Sequence, residues 1–289
     1  MLVSDESHRI RETSKDRWRP QNWSGKPQID ELLNAAKVGV FFIDEVQVVQ
    51  PGEVGSIALI SEAAERHGAR VVEFGLETQF RCGGSDGFVG WVDNTLGIRE
   101  TANEVWEPDP NFELRLVDSP YELERLVREK QGLSNTARLA AGYCWPWSNP
   151  NPDGSLVDDV KVGTWSKPWN ARPDAGRLAA GIPKSNFCAS SPGGIEQVGC
   201  VYTAQGFEYD YAGLIWGPDL RYDATAGDWV GDAKESFDHT VKRSKGAFLS
   251  LVKNTYRVLL TRGMKGCYIY CMDDSTRAFL ESRTSSPRG

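Results

Sequence analysis

The stretch VGVFFIDEVQ, residues 38–47, is the part of the sequence that decides the fold. It opens with a run of β-branched and aromatic apolar residues that is too short for a helix of its own, and such runs are typical of strands buried on both faces of a parallel sheet. Asp44, Glu45 and Gln47 follow this run directly. Because ligands of open α/β sheets bind just beyond the carboxyl ends of the strands, the stretch predicts a parallel sheet with a polar site at its edge.

The stretch LVSDESH, residues 2–8, repeats this pattern on a smaller scale. Two short apolar segments that each lead into Asp-Glu predict neighbouring strands that direct acidic side chains at one site. The alternative, two ordinary strand ends with solvated acids, stays open at this point.

The composition is that of an ordinary globular protein, with 289 residues, 40% of them hydrophobic and 25% charged. No apolar run approaches the roughly 20 residues that cross a bilayer. Asp5 and Glu6 follow Met1 without the apolar core of a signal peptide, so we expect a cytoplasmic protein. The net charge of −7 argues against a surface uniformly adapted to nucleic acid but leaves room for a local basic groove.

The cysteines lack the repeated short spacing that is typical of zinc sites. We expect them to be free thiols in a reducing compartment rather than metal ligands or disulfides. The six residues are Cys82, Cys144, Cys188, Cys200, Cys267 and Cys271.

Strand and helix patterns alternate along most of the chain, which predicts an α/β fold with a largely parallel sheet. Strands are predicted at residues 38–43, 70–74, 112–117, 138–143, 211–216 and 266–271, and helices at 28–36, 54–67, 85–97, 247–261 and from Ser119-Pro120 onward. Residues 144–191 are predicted to be an irregular, Trp-rich insertion with a hairpin, and residues 217–245 to be loop-like.

Acids, amides, arginines and one glycine fall at predicted strand ends and tight turns. They are Asp5, Glu6, Asp44, Gln47, Gln79, Arg81, Gln205, Gly206, Glu208, Arg257 and Arg262. Phosphoryl transfer requires Mg²⁺, a positioned water and an arginine at the transferred phosphate, so this set is suited to that reaction. We predict that Asp5 holds Mg²⁺ through the ion's waters and that Glu6 activates the attacking water.

Residues 242–265 form a basic region, because they carry seven cations and no acid in an acidic chain. Nucleic-acid binding is one interpretation of this region, and a solvated basic helix face is the other. The cations are Lys242, Arg243, Lys245, Lys253, Arg257, Arg262 and Lys265.

The order of short motifs resembles that of superfamily-one DNA/RNA helicases. The motifs are DESH at 5–8, DEVQ at 44–47, QFR at 79–81, TAQGFE at 203–208 and TYRVLLTR at 255–262. With residues 41–53 and 141–147, they resemble more closely the Schlafen-like helicase-domain family of P-loop ATPases, which is found mostly in bacteria. The resemblance covers about residues 2–272. Each motif is weak alone, but five in the right order are specific.

The resemblance implies ATP and Mg²⁺ as cofactors and DNA or RNA as partner. It implies that Asp5 and Glu6 are the Mg²⁺ and water-activating pair, that Gln47 senses the γ-phosphate, and that Arg81 and Arg262 contact it, Arg262 as an arginine finger. Further nucleotide-binding residues would be Asp44, Gln79, Gln205, Gly206, Glu208 and Arg257. Nucleic-acid-binding residues would be Thr203, Lys253, Trp145 and Trp147, although the two tryptophans are equally explained as core residues.

The sequence departs from the family at the phosphate-binding loop. No G-x-x-x-x-G-K-[ST] motif occurs in the 289 residues, and SGKP at 24–27 has Pro after its Lys. Without this loop the backbone cradle and the Lys for the β- and γ-phosphates are missing. We therefore expect a chain that starts after this loop, as a truncated product or from a start codon assigned too late, and little or no ATP hydrolysis.

The predicted architecture is an incomplete first RecA-like lobe followed by a second one. We expect the first lobe at residues 1–97, the second at 98–281 with the insertion at about 144–191, and a disordered tail at 282–289. The predicted function is that of a helicase-like ATPase, impaired here. The alternative is a non-catalytic remnant that binds nucleic acid or protein. A metal-dependent hydrolase that uses Asp5 and His8 is a third, weaker hypothesis.

Overall fold

The computed structural model describes residues 1–15, 23–75, 82–133 and 136–285. Its internal contacts divide the chain into two compact units, Met1–Glu77 and Thr78–Gly289. Each unit is described by itself below.

The first unit pairs its two acid-bearing strands, as the sequence predicts. Strands β1 (Leu2–Ser4) and β2 (Gly39–Phe41) are parallel, with Leu2 opposite Gly39 and Ser4 opposite Phe41. Helices α1 (Gln28–Asn34) and α2 (Ile57–Arg66) accompany them. The small core of this unit is built on Ile10, Ile29 and Ala63.

Two expectations for the first unit were wrong. The segment 38–43 is not buried on both faces, because β2 pairs with β1 alone among the described residues, and Val38 and Phe42 are 56% and 45% exposed. Residues 70–74, predicted as a strand, form no strand, and Phe74 is 83% exposed. Their apolar character favours a strand, but a strand forms only where a neighbour accepts its hydrogen bonds.

The second unit contains the larger sheet and its helices. Its strands are β3 (Glu113–Val117), β4 (Ala137–Ala141), β5 (Val160–Val162), β6 (Trp165–Lys167), β7 (Val198–Gly199), β8 (Tyr209–Trp216), β9 (Leu220–Asp223), β10 (Asp228–Gly231) and β11 (Gly263–Cys271). Its helices are α3 (Asp86–Thr95), α4 (Pro120–Gly132), α5 (Val201–Ala204), α6 (His239–Lys242), α7 (Phe248–Leu260) and α8 (Asp274–Ser282).

A five-stranded parallel sheet organises the described part of this unit, in the order β3-β11-β8-β4-β7. The two faces of β8 contact different helices, because side chains alternate between the faces of a strand. A Cβ on Gly213 would lie 2.5 Å from Val127 of α4. Trp216 stacks on Tyr256 of α7 with ring centroids 4.3 Å apart. The predicted α/β fold with a parallel sheet is confirmed.

Serine caps set the starts of two helices as predicted. The Ser85 hydroxyl accepts the Phe88 N–H of α3 at 3.2 Å, and the Ser119 hydroxyl accepts the Glu122 N–H of α4 at 3.1 Å. Such caps satisfy backbone donors that have no partner within the helix.

The hairpin predicted for the insertion is confirmed as β5–β6. The segments predicted as loop and tail contain more structure than expected. The supposed loop 217–245 contains the antiparallel hairpin β9–β10, whose turn is closed by the N–H groups of Thr225 and Ala226 on the Asp223 carboxylate. In the described part of the tail, the Ser285 N–H donates to the Trp106 carbonyl at 2.9 Å.

Helix α3 lies in the second compact unit, where its Asp93 carboxylate pairs with Arg257 of α7. The predicted lobe boundary at residue 97 stays a prediction. None of the helices in the described ranges is long and apolar enough to cross a membrane.

Candidate functional site

The ends of β1 and β2 bring the two acidic segments of the first unit together. The Phe42 N–H donates to the Ser4 carbonyl at 2.9 Å, and the Ser7 N–H donates to the Phe42 carbonyl at 2.8 Å. These bonds continue the strand pairing into DESH and DEVQ. The acids of both segments therefore emerge at one edge of the unit.

The segment after β2 is a short 3-10 turn, Glu45–Gln47, capped by Asp44. One Asp44 carboxylate oxygen accepts the Val46 N–H at 3.2 Å, and the other accepts the Gln47 side-chain amide at 2.8 Å. Gln47 is only 5% exposed. Asp44 therefore sets the orientation of Gln47, the residue predicted to sense a phosphate.

Glu6 has a left-handed backbone, with φ 52° and ψ 44°, which is uncommon for a residue other than glycine. Its N–H donates to the Asp5 carboxylate at 2.9 Å, and its Oε2 lies 3.2 Å from Nε2 of His8. Backbone strain of this kind is concentrated at functional sites in proteins. The turn directs Glu6 back toward His8 while Asp5 stays exposed.

His8 is a buried imidazole, 1% exposed, beside this turn. Burial lowers the pKa of His8 below 6.5, although Glu6, Glu53 and Asp44 act in the opposite direction. Burial thus favours the neutral form of the imidazole. A neutral imidazole offers one donor and one acceptor to its surroundings.

The loop PGEVG, residues 51–55, packs against the acidic turn, residues 5–8. The Glu53 carboxylate accepts the N–H groups of Val49 at 3.0 Å and Gln50 at 3.1 Å. A Cβ on Gly55 would lie 1.9 Å from the carbonyl oxygen of Ser7, so only glycine fits there. Glu53 and Gly55 were not among the predicted site residues. The Pro-Gly-Glu-Val-Gly pattern that follows DEVQ was the available signal.

The donors at this edge are of the type that Mg²⁺ prefers. Asp5, Glu6 and Asp44 supply hard carboxylate oxygens, and Asp5 is exposed. No three His, Cys, Asp or Glu side chains within the described ranges converge on a point that could hold a metal. Mg²⁺ commonly keeps several waters and uses one or two carboxylates, so the residues fit an ion held by Asp5 through water.

The TAQGFE segment of the second unit begins in the last turn of α5 and ends directly before β8. The Thr203 hydroxyl lies 2.9 Å from Oδ1 of Asn170 and 3.1 Å from the Cys200 N–H that it accepts. Gly206 has φ +82°, a conformation that favours glycine. Gln205 is 8% exposed, whereas Glu208 is exposed. The segment thus forms a tight turn whose threonine is held by its own backbone.

The two arginines of α7 and its C-terminus point into the second unit. Arg257 donates from Nε to the Asp93 carboxylate. Arg262 is 1% exposed and donates to the carbonyls of Val258 at 2.9 Å and Phe207 at 3.4 Å. Arg262 therefore contacts the TAQGFE turn. Its predicted role at the γ-phosphate stays a prediction, and that role requires the side chain to turn outward.

The aromatic residues predicted to stack on bases are anchored by their indole N–H groups. Trp145 is 9% exposed and donates to the Lys161 carbonyl at 3.0 Å, and Trp147 donates to the Asn170 carbonyl at 2.7 Å. These contacts favour the core alternative for Trp145. Gln79 and Arg81 lie outside the described residues.

The basic region 242–265 is less uniform in three dimensions than in sequence. Arg257 and Arg262 are buried, and Lys265 pairs with Asp210 at 2.8 Å. Besides Lys265, the exposed cations are Lys242, Arg243 and Lys245, which lie toward the start of the region. Lys253 lies in a groove beside them. The structure therefore does not show a solvated basic face along the whole of the basic region.

Residues 1–273 match the family model described as Schlafen group 3, DNA/RNA helicase domain. The chain belongs to this family. The family predicted from the motif order is thereby confirmed. The parallel sheet of the second unit is consistent with the RecA-like core of such proteins.

An uncharacterized protein of Saccharomyces cerevisiae is similar to this Schlafen-family chain, with 24% identity over 317 aligned residues. The alignment covers 96% of this chain and 63% of the yeast protein. The chain thus spans less than two-thirds of the length of this relative.

Proposed function

We propose that this Schlafen-family chain is a helicase-like nucleoside triphosphatase module in which nucleotide hydrolysis is coupled to nucleic-acid binding. The observation that carries the proposal is the parallel pairing of β1 with β2, which brings Asp5 and Glu6 next to Asp44 and Gln47. One carboxylate for a hydrated cation, a second for a water and an oriented amide are the groups that phosphoryl transfer requires.

Each residue at this edge has a distinct role in the proposal. Asp5, exposed and bonded to the Glu6 N–H, would hold Mg²⁺ through water, and the ion would neutralise phosphate charge. Glu6 would accept a proton from the attacking water. His8 limits where the Glu6 carboxylate can lie, because Nε2 is 3.2 Å from it. Gln47, fixed by Asp44, would sense the γ-phosphate.

The remaining predicted groups belong to the second unit, and their roles are proposed for that unit by itself. We propose that Gln205, Gly206 and Glu208 contact nucleotide, that Arg262 supplies positive charge to the γ-phosphate, and that Thr203 faces nucleic acid. The contact of Arg262 with the Phe207 carbonyl supports a link between this arginine and the TAQGFE turn. Gln79, Arg81 and Arg257 remain candidates for the same nucleotide.

A second candidate function rests on the missing phosphate loop. The 289 residues contain no Gly-rich loop with Lys, so the chain supplies no cradle of N–H groups for the phosphates. Hydrolysis by this chain alone should therefore be slow. If it is absent altogether, the chain acts as a non-catalytic protein that binds nucleic acid or another protein.

Hydrolysis of ATP with and without single-stranded DNA or RNA separates the two functions. We expect slow, Mg²⁺-dependent hydrolysis that nucleic acid stimulates and that Glu6→Gln abolishes. Glu62→Gln on the exposed side of α2 is the matched control and should leave the rate unchanged. Salt-sensitive nucleic-acid binding that ATP never alters, with no hydrolysis above the Glu6→Gln background, would establish the binding function instead.

A further inference from the structure

An open groove of about 380 Å³ lies on the second unit between the end of α3 and the first half of α7. Gly97 and Ile98 form one side of the groove. The other side is formed by Gly246, Leu249, Ser250, Lys253 and Asn254. The groove lies away from the C-terminal end of α7, where Arg262 contacts the TAQGFE turn.

Lys253 is the charged side chain of this groove, and it is only 13% exposed. Its Nζ lies 3.9 Å from the Asp228 carboxylate, which is itself 73% exposed. A Cβ on Gly97 would lie 3.5 Å from Nζ, so the cation reaches the C-terminal end of α3. A long contact with one solvated acid compensates little of the cost of burying an ammonium group.

Burial lowers the pKa of Lys253, while Asp228 acts to raise it. An anion in the groove would supply the opposite charge that the fold provides only at a distance. Such an anion would favour the charged form of the lysine, because nearby opposite charge stabilises it.

Further cations lie directly before the groove in the chain. Lys242, Arg243 and Lys245 are exposed, and Lys245 adjoins Gly246 in the groove wall. Lys245 has φ +42°, a strained conformation for a non-glycine residue. A row of exposed cations that leads to a shielded one matches a repeating polyanion better than a single small anion.

We propose that this groove binds the phosphodiester backbone of nucleic acid, with Lys253 contacting one phosphate and the 242–245 cations contacting the phosphates beside it. The inference deepens the proposed function, since it names where nucleic acid is held on the second unit. Backbone contacts of this kind carry affinity without base specificity.

The test is the salt dependence of single-stranded DNA and RNA binding by the 289-residue chain without nucleotide, measured by fluorescence anisotropy. Lys253→Met keeps the length of the side chain and removes its charge. We expect a roughly tenfold weaker affinity at low salt and a slope of log affinity against log salt that falls by about 0.7, the loss of one phosphate contact on a single strand. Lys265→Met, whose lysine pairs with Asp210, is the matched control and should change neither quantity.

A second variant keeps the test independent of Lys253. Ser250→Asp places a negative charge in the exposed groove wall and should weaken binding in the same direction. Unchanged affinity and slope in both variants would overturn the groove assignment. A Lys253→Met variant that is less stable but binds nucleic acid equally well would show that the lysine only stabilises the C-terminal end of α3.

Three further outcomes separate the groove assignment from the proposed function. If the Lys253→Met variant loses affinity equally for nucleic acid and for pyrophosphate, the groove is a free-phosphate site and the backbone assignment fails. If wild-type protein hydrolyses ATP and binds nucleic acid while both groove variants bind normally, the proposed function stands and the groove does not. If the wild-type chain binds no nucleic acid, the groove assignment fails together with the coupling.

Discussion

The Nε–H of Arg257 on α7 is donated to the carboxylate of Asp93 on α3, and these side chains are only 8% and 0% exposed. Arg99 donates from Nε to the other Asp93 oxygen at 3.1 Å. The pair joins two helices that are 164 positions apart in the chain at these residues. It gives Arg257, one of the predicted nucleotide-binding residues, a buried structural partner.

Replacement of Arg257 by Met should lower the free energy of unfolding by about 2 kcal/mol, because the buried Asp93 carboxylate loses a charge-assisted hydrogen bond to one oxygen while Arg99 still holds the other. Urea unfolding measures this loss. Arg125→Met, from an exposed pair with Glu129, is the control and should stay within about 0.5 kcal/mol. A stable Arg257→Met protein that has lost nucleotide affinity would assign Arg257 to the nucleotide instead.

Replacement of Gly55 by Ala should disrupt the acidic turn. Its Cβ would lie 1.9 Å from the Ser7 carbonyl and 2.8 Å from the His8 Cα, and backbone atoms cannot move aside as flexible side chains do. We expect a cost of about 3 kcal/mol, at the upper end for overpacking. Hydrogen exchange of the peptide that contains the Ser7 amide should accelerate.

Gly52→Ala in the same loop is the control, because nothing lies within 4 Å of its added Cβ. Equal exchange protection in the two variants would mean that the loop does not press on the turn as described.

Asp219 should make stability depend on pH in the opposite sense to an ordinary carboxylate. Burial raises the pKa of Asp219 above 3.8, and the Tyr256 hydroxyl, which donates to it at 2.6 Å, compensates only in part. A raised folded-state pKa contributes stability below the unfolded pKa of about 3.9, and this contribution is lost as pH rises through the folded value. The unfolding free energy of wild type should therefore fall relative to Asp219→Asn as pH rises above about 4.

The control for Asp219 is Asp174→Asn. The Arg172 side chain holds the pKa of the Asp174 carboxyl below its usual value, so wild type should gain stability relative to this variant as pH rises toward about 4 and keep that gain above it. Parallel curves for Asp219→Asn and wild type would show that Asp219 ionises as freely as in the unfolded chain.

Trp145 distinguishes base stacking from core packing. Because its ring is buried against Trp169, with centroids 6.1 Å apart, and its Nε1 donates to Lys161, we expect Trp145→Phe to cost about 1–3 kcal/mol of stability and to leave nucleic-acid affinity unchanged. Urea unfolding measures the stability, and fluorescence anisotropy on the same protein preparation measures the nucleic-acid affinity. A loss of affinity with unchanged stability would restore the stacking role, since a stacked base contributes about 1–3 kcal/mol.

Local patterns predicted much of the architecture. The apolar runs before DESH and DEVQ predicted neighbouring parallel strands, and Ser85 and Ser119 predicted helix starts, because capping depends on residues three positions apart. Patterns failed where the outcome depended on a distant neighbour. Residues 70–74 have the composition of a strand but no strand partner in the described structure. The polar segment 217–245, predicted to be loop-like, contains the hairpin β9–β10.

The sequence by itself determined the α/β class, the family and the pairing of two acid-bearing strand ends, since all three depend on the order and local spacing of residues. The tertiary structure alone decided what these residues contact. It joined Asp93 to Arg257, pressed Gly55 against Ser7, shielded Lys253 in a groove and turned Arg262 inward. These contacts join residues far apart in the chain, and burial and hydrogen bonding, which give such residues their energies, exist only once the chain has folded.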